Sequence, residues 1–271
     1  MPSKPEPSLP PCDDTSLVTR HGQDGVATLT LNRPKTRNAL SSALIAELQR
    51  TLDSINDDPG VRVVVLAGAG PVFCAGHDLR ELRDNPGAAA CQALFSQCAR
   101  LMQTITRLRQ PVIARVHGVA TAAGCQLVAT CDLAVAGAGT RFATPGVNIG
   151  LFCSTPMVAL SRAIGRKAAL AMLLTGDTID AVQARDWGLI NSVVPDADLD
   201  DAVAGLAARI AAKSPLTLAI GKAAFYRQID LDLAAAYADA AQVMTRNMLA
   251  DDAQEGITAF LDKRPPVWRG S

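Results

Sequence analysis

The chain has 271 residues, 49% hydrophobic and 19% charged, enough to bury a sizeable core, which excludes a disordered or low-complexity protein. Lys plus Arg and Asp plus Glu both number 26, so the formal net charge is zero and nothing global argues for a nucleic-acid or membrane partner. Seven cysteines (Cys12, Cys74, Cys91, Cys98, Cys125, Cys131 and Cys153) form no C-x-x-C pair, which points to buried thiols, no structural metal and a cytoplasmic location.

Residues 1–15, "MPSKPEPSLPPCDDT", are Pro-rich and polar and read as a disordered tail. They carry neither the apolar core of a signal peptide nor the Arg-rich, acid-poor character of a transit peptide. "LVTRHGQDGVATLTL" (17–31) predicts a hairpin around a Gly-rich turn. "NRPKTRNAL" then leads into a helical pattern that ends near 57–60, with Asn38 or Ser41 as its N-cap. "VRVVVLAG" (61–68) is a run of β-branched residues expected of a strand covered on both faces. A Gly-rich loop and one long helical stretch to about Gln110 follow, then a second buried strand, "PVIARVHG" (111–118). "TAAGCQLVAT" predicts a turn of small residues opening a buried helix, and "CDLAVAG" (131–137) a third strand. From about Ser154 the sequence is Ala-rich with apolar residues at helical spacing. The alternation predicts an α/β core over 16–199 and a helical region over 200–271.

"VVVLAGAGPVFCAG" superficially suggests a dinucleotide-binding turn. Phe73 stands where the third glycine of that fingerprint belongs, and Pro71 where its helix should begin, so a nicotinamide cofactor is not expected.

Four stretches in order carry a stronger signal: "RPKTRNAL" (33–40), "GPVFCAGHDLREL" (70–82), "HGVATAAGCQLVATCD" (117–132) and "FATPGVNIGL" (142–151). Together they resemble the enoyl-CoA hydratase/isomerase, or crotonase, family from about residue 17 to Trp268. The resemblance implies an α/β spiral of repeated ββα units, followed by C-terminal helices that drive trimerisation, often as a dimer of trimers. It implies an acyl-CoA thioester as ligand and no cofactor beyond the coenzyme A of that thioester. By motif position, the backbone N–H groups of His77 and Ala123 hold the thioester oxygen. Ala39, Ala75, Gly76, Asp78, Leu79, Gly124, Pro145 and Leu151 are implied as substrate-binding positions. Lys35 and Arg37 match positions near the coenzyme A phosphates, and Lys263 reaches the same ligand.

Physical chemistry supports the two N–H groups independently. Enolate formation beside a thioester puts negative charge on its oxygen, and preorganised donors at a helix N-terminus stabilise it. Only backbone is needed, so the His77 imidazole is not expected to act as a base. His117 reads as a satisfied core histidine and His21 as a solvated one. Family hydratases add two glutamates, at positions held here by Gln126 and Gly146. An amide cannot take a proton at neutral pH, and glycine offers no side chain. Asp78 and Asp132 read as a helix cap and an ion-pair partner rather than replacements. Cys153 and Ser154 lie near the expected acyl group, but no base is visible for the thiol. The sequence therefore predicts a thioester-binding, enolate-stabilising protein in which two-glutamate hydration is doubtful. A catalytically silent acyl-CoA-binding or regulatory protein is the alternative, and a purely structural oligomer a third reading.

Overall fold

A computed structural model describes residues 16–271, and the expected tail at 1–15 lies outside the described residues. β1 (Val18–Gln23) and β2 (Val26–Leu31) form the antiparallel hairpin. Its turn is Asp24-Gly25, both at positive φ, the backbone that a two-residue connection between twisted strands requires. α1 (Ser42–Asn56) is capped by Ser41, whose hydroxyl accepts the Leu44 N–H at 3.2 Å. Asn38 is therefore not a cap. It is fully buried, accepts the Arg33 N–H, and donates its amide to the carbonyls of Ala69, Val72 and Phe73, pinning the 33–40 loop to the loop after β3 (Val63–Gly68).

The long helix expected before Gln110 is broken into α2 (Leu79–Asp84) and α3 (Ala88–Arg107). Pro86 explains the break, since it lacks an N–H and forces Asn85 out of the helical region, to φ −129°. β4 (Val112–Val116), β5 (Val119–Thr121), α4 (Ala123–Thr130), β6 (Leu133–Gly137) and β7 (Arg141–Ala143) follow. After a 3₁₀ turn at Pro145–Ile149 come α5 (Ser154–Ala163), α6 (Arg166–Thr175), β8 (Ile179–Asp180), α7 (Ala181–Trp187) and β9 (Ser192–Val194). The chain ends in α8 (Leu199–Ala211), α9 (Pro215–Gln228), α10 (Leu233–Met248) and α11 (Asp251–Leu261).

The strands form a six-stranded sheet, β1-β2-β3-β4-β6-β9, parallel beyond the first hairpin, and a three-stranded sheet, β5-β7-β8. β4 and β6 each continue directly into a short strand of the second sheet, so these two circuits of the chain contribute to both sheets and then to a helix. One face of the large sheet packs on α1, α3 and α4. On the other face, Val63, Val65, Ile113 and Val135 meet Leu199, Val203, Ala207 and Ala211 of α8. β3 is thereby covered on both sides, which is why its sequence does not alternate.

A partly buried ion pair fastens α9 to this core. Lys222 donates to the carbonyls of Ile105 and Gln110, each at 2.9 Å, and to Asp132 at 2.6 Å. Asp132 also accepts the Tyr226 hydroxyl at 2.8 Å and the Val112 N–H at 2.6 Å. Burial lowers the Lys222 pKa, while the Asp132 carboxylate pulls it back up. Lys222→Met is expected to destabilise in thermal or urea unfolding by less than the roughly 3–5 kcal/mol of a fully buried pair, because it leaves a partly buried carboxylate without its counter-charge. A melt indistinguishable from wild type would show that water replaces the ammonium without cost.

Candidate active site

The site is built where successive circuits of the spiral touch. The 74–77 segment runs between the 37–40 loop and β5. On one side, Ala75 donates to Arg37 O at 3.0 Å and Leu40 donates to Gly76 O at 2.7 Å. On the other, Cys74 donates to Val119 O at 3.2 Å, Thr121 donates to Cys74 O at 3.0 Å, and the Thr121 hydroxyl donates to Ala75 O at 3.1 Å. Leu40 O accepts the Asp78 N–H at 3.2 Å, so Leu40 pairs with the groups flanking His77. In extended backbone successive groups alternate in direction. The His77 N–H therefore points away from Leu40, and no hydrogen bond among the described residues uses it.

The α4 N-terminus faces the same place. Its first helical bond runs from the Gln126 N–H to Ala122 O at 3.0 Å, and no side chain caps the N–H groups of Ala123, Gly124 and Cys125 ahead of it. Ala122 enters the helix at φ 50°, ψ −118°, a conformation that non-glycine residues rarely adopt and that surrounding structure must impose. Two glycines make the approach possible. Gly76 has φ +91°, and a Cβ there would lie 2.9 Å from Ala122 Cβ and 3.2 Å from the Ala123 nitrogen. A Cβ on Gly124 would collide with the Cys74 carbonyl. His77 and Ala123 thus stand on two abutting segments, with N–H groups unused among the described residues and the positive end of a helix dipole.

The side chains around this point are neutral. Gln126 is 4% exposed and Thr144 fully buried, and among the described residues neither Gln126 Oε1 nor Thr144 Oγ1 has a hydrogen-bond partner. Pro145 opens the 3₁₀ turn, and Gly146 O accepts the Leu151 N–H at 2.9 Å. A Cβ on Gly146 would strike the Leu151 carbonyl and stand 2.8 Å from Cys153 Sγ. Position 146 therefore has no space for a larger residue unless that turn opens. Burial raises the Cys153 pKa, and the thiols of Cys74, Cys98 and Cys125 are pushed up to about 12 by burial, so none is a ready nucleophile. Thr144 was not singled out from sequence; a lone threonine before "PG" carries no signal until its burial is known.

Other expected residues divide. Ala39 is buried, and its carbonyl accepts the Arg33 guanidinium at 2.6 Å. Lys35 and Arg37 are exposed on the loop that holds Ala75, without an ion-pair partner among the described residues. Asp78 caps α2 and pairs with Arg33 at 3.1 Å, and these bonds keep its pKa low despite burial. Leu79 and Leu151 expose apolar surface. Lys263 lies two residues past the end of α11, at φ 55°, and no hydrogen bond among the described residues joins it to these loops. The His77 ring packs edge-on against Phe95 with ring centroids 5.4 Å apart, neither nitrogen meets a hydrogen-bond partner among the described residues, and burial lowers its pKa. His117 is satisfied, as expected, but half-buried rather than in the core: Nε2 donates to Gly70 O at 2.8 Å, leaving Nδ1 to accept from Arg115 at 3.0 Å.

Residues 21–271 match the family model described as enoyl-CoA hydratase/isomerase. The human protein named enoyl-CoA hydratase domain-containing protein 3, mitochondrial, is 48% identical over 245 residues, spanning 90% of this chain and 81% of its own. A solved structure described as enoyl-CoA hydratase from Mycobacterium smegmatis superposes with TM-score 0.92 at 52% identity, covering 93% of this chain and 99% of its own. The solved human enoyl-CoA hydratase domain-containing protein 3 gives 0.91 at 47% identity, covering 93% and 100%. These likenesses show the crotonase-like α/β fold with C-terminal helices. They also correct the cytoplasmic expectation: the similar human, rat and mouse proteins are named as mitochondrial, and thiol content could not distinguish one reducing compartment from another. Across nearly all its described length, the chain belongs to the enoyl-CoA hydratase/isomerase family.

Proposed function

We propose that this protein binds an acyl-CoA thioester, seats its carbonyl oxygen between the N–H groups of His77 and Ala123, and stabilises the enolate formed there. The observation that carries this reading is the abutment of Gly76 on Ala122 and Ala123, which brings two unpaired N–H groups to one strained helix entry. As charge moves onto the oxygen, both N–H bonds and the α4 dipole strengthen, so the donors favour the enolate over the ground state. Lys35 and Arg37, exposed on the loop bonded to Ala75, meet the phosphates of coenzyme A. No further cofactor is needed for this binding chemistry. The apolar surface of α9–α11, including Phe225, Tyr237, Met244 and Phe260, fits burial in a homotrimer or dimer of trimers.

Gln126 orients a water or a substrate group but transfers no proton, and position 146 contributes only backbone. Crotonyl-CoA should therefore bind, while its hydration, followed by loss of enoyl absorbance, runs about 10²–10⁴ below that of a two-glutamate family hydratase. Binding with no turnover of any thioester would favour the silent, regulatory reading, which the unpartnered amide and glycine specifically support. Failure to bind any coenzyme A thioester by calorimetry would remove the proposal, and rapid hydration would locate an acid–base group elsewhere.

A further inference from the structure

One buried amide ties together the loops that flank the proposed thioester seat. Asn38 is fully buried, and its side chain meets four backbone groups. Oδ1 accepts the Arg33 N–H at 2.9 Å, and Nδ2 donates to the carbonyls of Ala69, Val72 and Phe73 at 2.8, 2.9 and 3.1 Å. Two hydrogens thus serve three carbonyls, whose oxygens would repel one another and stand unsatisfied without them. The packing is close: a Cβ on Gly68 would lie 2.9 Å from Nδ2 and 2.4 Å from Phe73 O. Backbone conformation also selects this residue, because Asn38 has φ 54°, a left-handed region that asparagine adopts more readily than most. An aspartate would turn a second oxygen on the three carbonyls, and an aliphatic side chain would offer them no hydrogen.

What the amide holds leads directly to a donor of the seat. Phe73 ends the caged loop, and His77 follows four residues later. Over that stretch the bonds on this side run to residues 37–40. The Cys74 thiol donates to Asn38 O at 3.2 Å, Ala75 N–H to Arg37 O at 3.0 Å, Leu40 N–H to Gly76 O at 2.7 Å, and Asp78 N–H to Leu40 O at 3.2 Å. Asn38 therefore fixes the entry to the 74–78 segment with its side chain, while its own backbone lies inside the ladder that fixes the rest. Loss of the amide lets the carbonyls of Ala69, Val72 and Phe73 turn away, and that twist passes through Cys74 to the His77 N–H. We infer that Asn38 is a positioning residue for the His77 donor: it sets where that N–H stands relative to Ala123 without itself touching the ligand. The inference rests on the thioester seat proposed above.

The test is the carbonyl stretch of butyryl-CoA, labelled with ¹³C at the thioester carbonyl and bound to the full chain, with Asn38→Gly as the variant. Glycine adopts φ 54° without strain while removing the amide. In wild type two donors should move the stretch to lower wavenumber than in water, and in Asn38→Gly that displacement should shrink by about half, as one of the two leaves its place. Lys222→Met, which destabilises from beyond the far end of α4, should keep the full displacement. A structural role alone lowers the melting temperature and the folded fraction, but it does not move the frequency of ligand that is bound. Full displacement in Asn38→Gly, or an equal loss in Lys222→Met, would overturn the inference. A wild-type carbonyl without displacement would instead remove the seat, and the inference with it. If Asn38→Gly fails to fold, hydrogen exchange in the wild-type protein decides. The Arg33 N–H, bonded to Asn38 Oδ1, should exchange through the same urea-dependent opening as the Leu40 and Ala75 N–H groups. Exchange at Arg33 while Leu40 and Ala75 stay protected would show that the seat holds without the amide, and would overturn the inference.

Discussion

Gly76→Ala is expected to disable the thioester seat while leaving the fold in place. The residue has φ +91°, and an added Cβ would lie 2.9 Å from Ala122 Cβ, 3.0 Å from Thr121 O and 3.2 Å from the Ala123 nitrogen. None of these is the end of a flexible side chain, so the 74–77 segment and the α4 entry must separate. Separation moves His77 and Ala123 apart, and one oxygen can no longer meet both donors. Removing one such donor costs about 10²–10³ in rate in well-studied hydrolases. Any turnover the wild-type protein shows should fall by that order, and ground-state thioester binding should weaken with it. The paired measurement is an acyl-CoA titration and a thermal melt of the same preparation. A variant that melts earlier but binds as wild type would show that the seat does not depend on this contact.

The second large effect concerns a gain that should not occur. From the sequence, Gln126→Glu together with Gly146→Glu is the natural reconstruction of a two-carboxylate relay. The structure predicts that it yields no efficient hydratase, because a Cβ at 146 would strike the Leu151 carbonyl and press on Cys153 Sγ at 2.8 Å. The carbonyl belongs to a turn closed by the Leu151 N–H on Gly146 O at 2.9 Å, and it cannot swing aside as a side chain can. The double variant should lose at least about 1–3 kcal/mol in unfolding measurements, the usual cost of overpacking. Gln126→Glu alone, which adds no bulk, should fold better. Crotonyl-CoA hydration by the double variant at the rate of a two-glutamate family hydratase would mean that the turn opens readily.

The sequence made long elements legible and short ones invisible. Asp24-Gly25 between two β-like runs, the unbroken apolar β3 and the small residues opening α4 each left a local signature. β5, β7, β8 and β9 are two or three residues long, and pairing with distant turns of the chain holds them, so no periodicity announces them. Asn38 looked like a cap because its composition suits one; its bonds to Ala69, Val72 and Phe73 depend on a loop about thirty residues away. Asp132 was legible as an ion-pair partner, but Lys222, 90 residues later, was not. At the site, the motif order pointed to His77, Ala123, Gln126 and Gly146. Burial alone revealed that Thr144 Oγ1 and Gln126 Oε1 each lack a partner among the described residues, and that a carbonyl fills the space beside Gly146.

The central claim is that the thioester oxygen sits between two backbone N–H groups. Difference infrared spectroscopy of the protein with butyryl-CoA carrying ¹³C at the thioester carbonyl tests this most directly. The isotope-edited carbonyl stretch should move to lower wavenumber than in water, as two preorganised donors draw charge onto the oxygen, and the displacement should shrink in Gly76→Ala. A bound ligand whose carbonyl absorbs at or above its position in water would contradict the account.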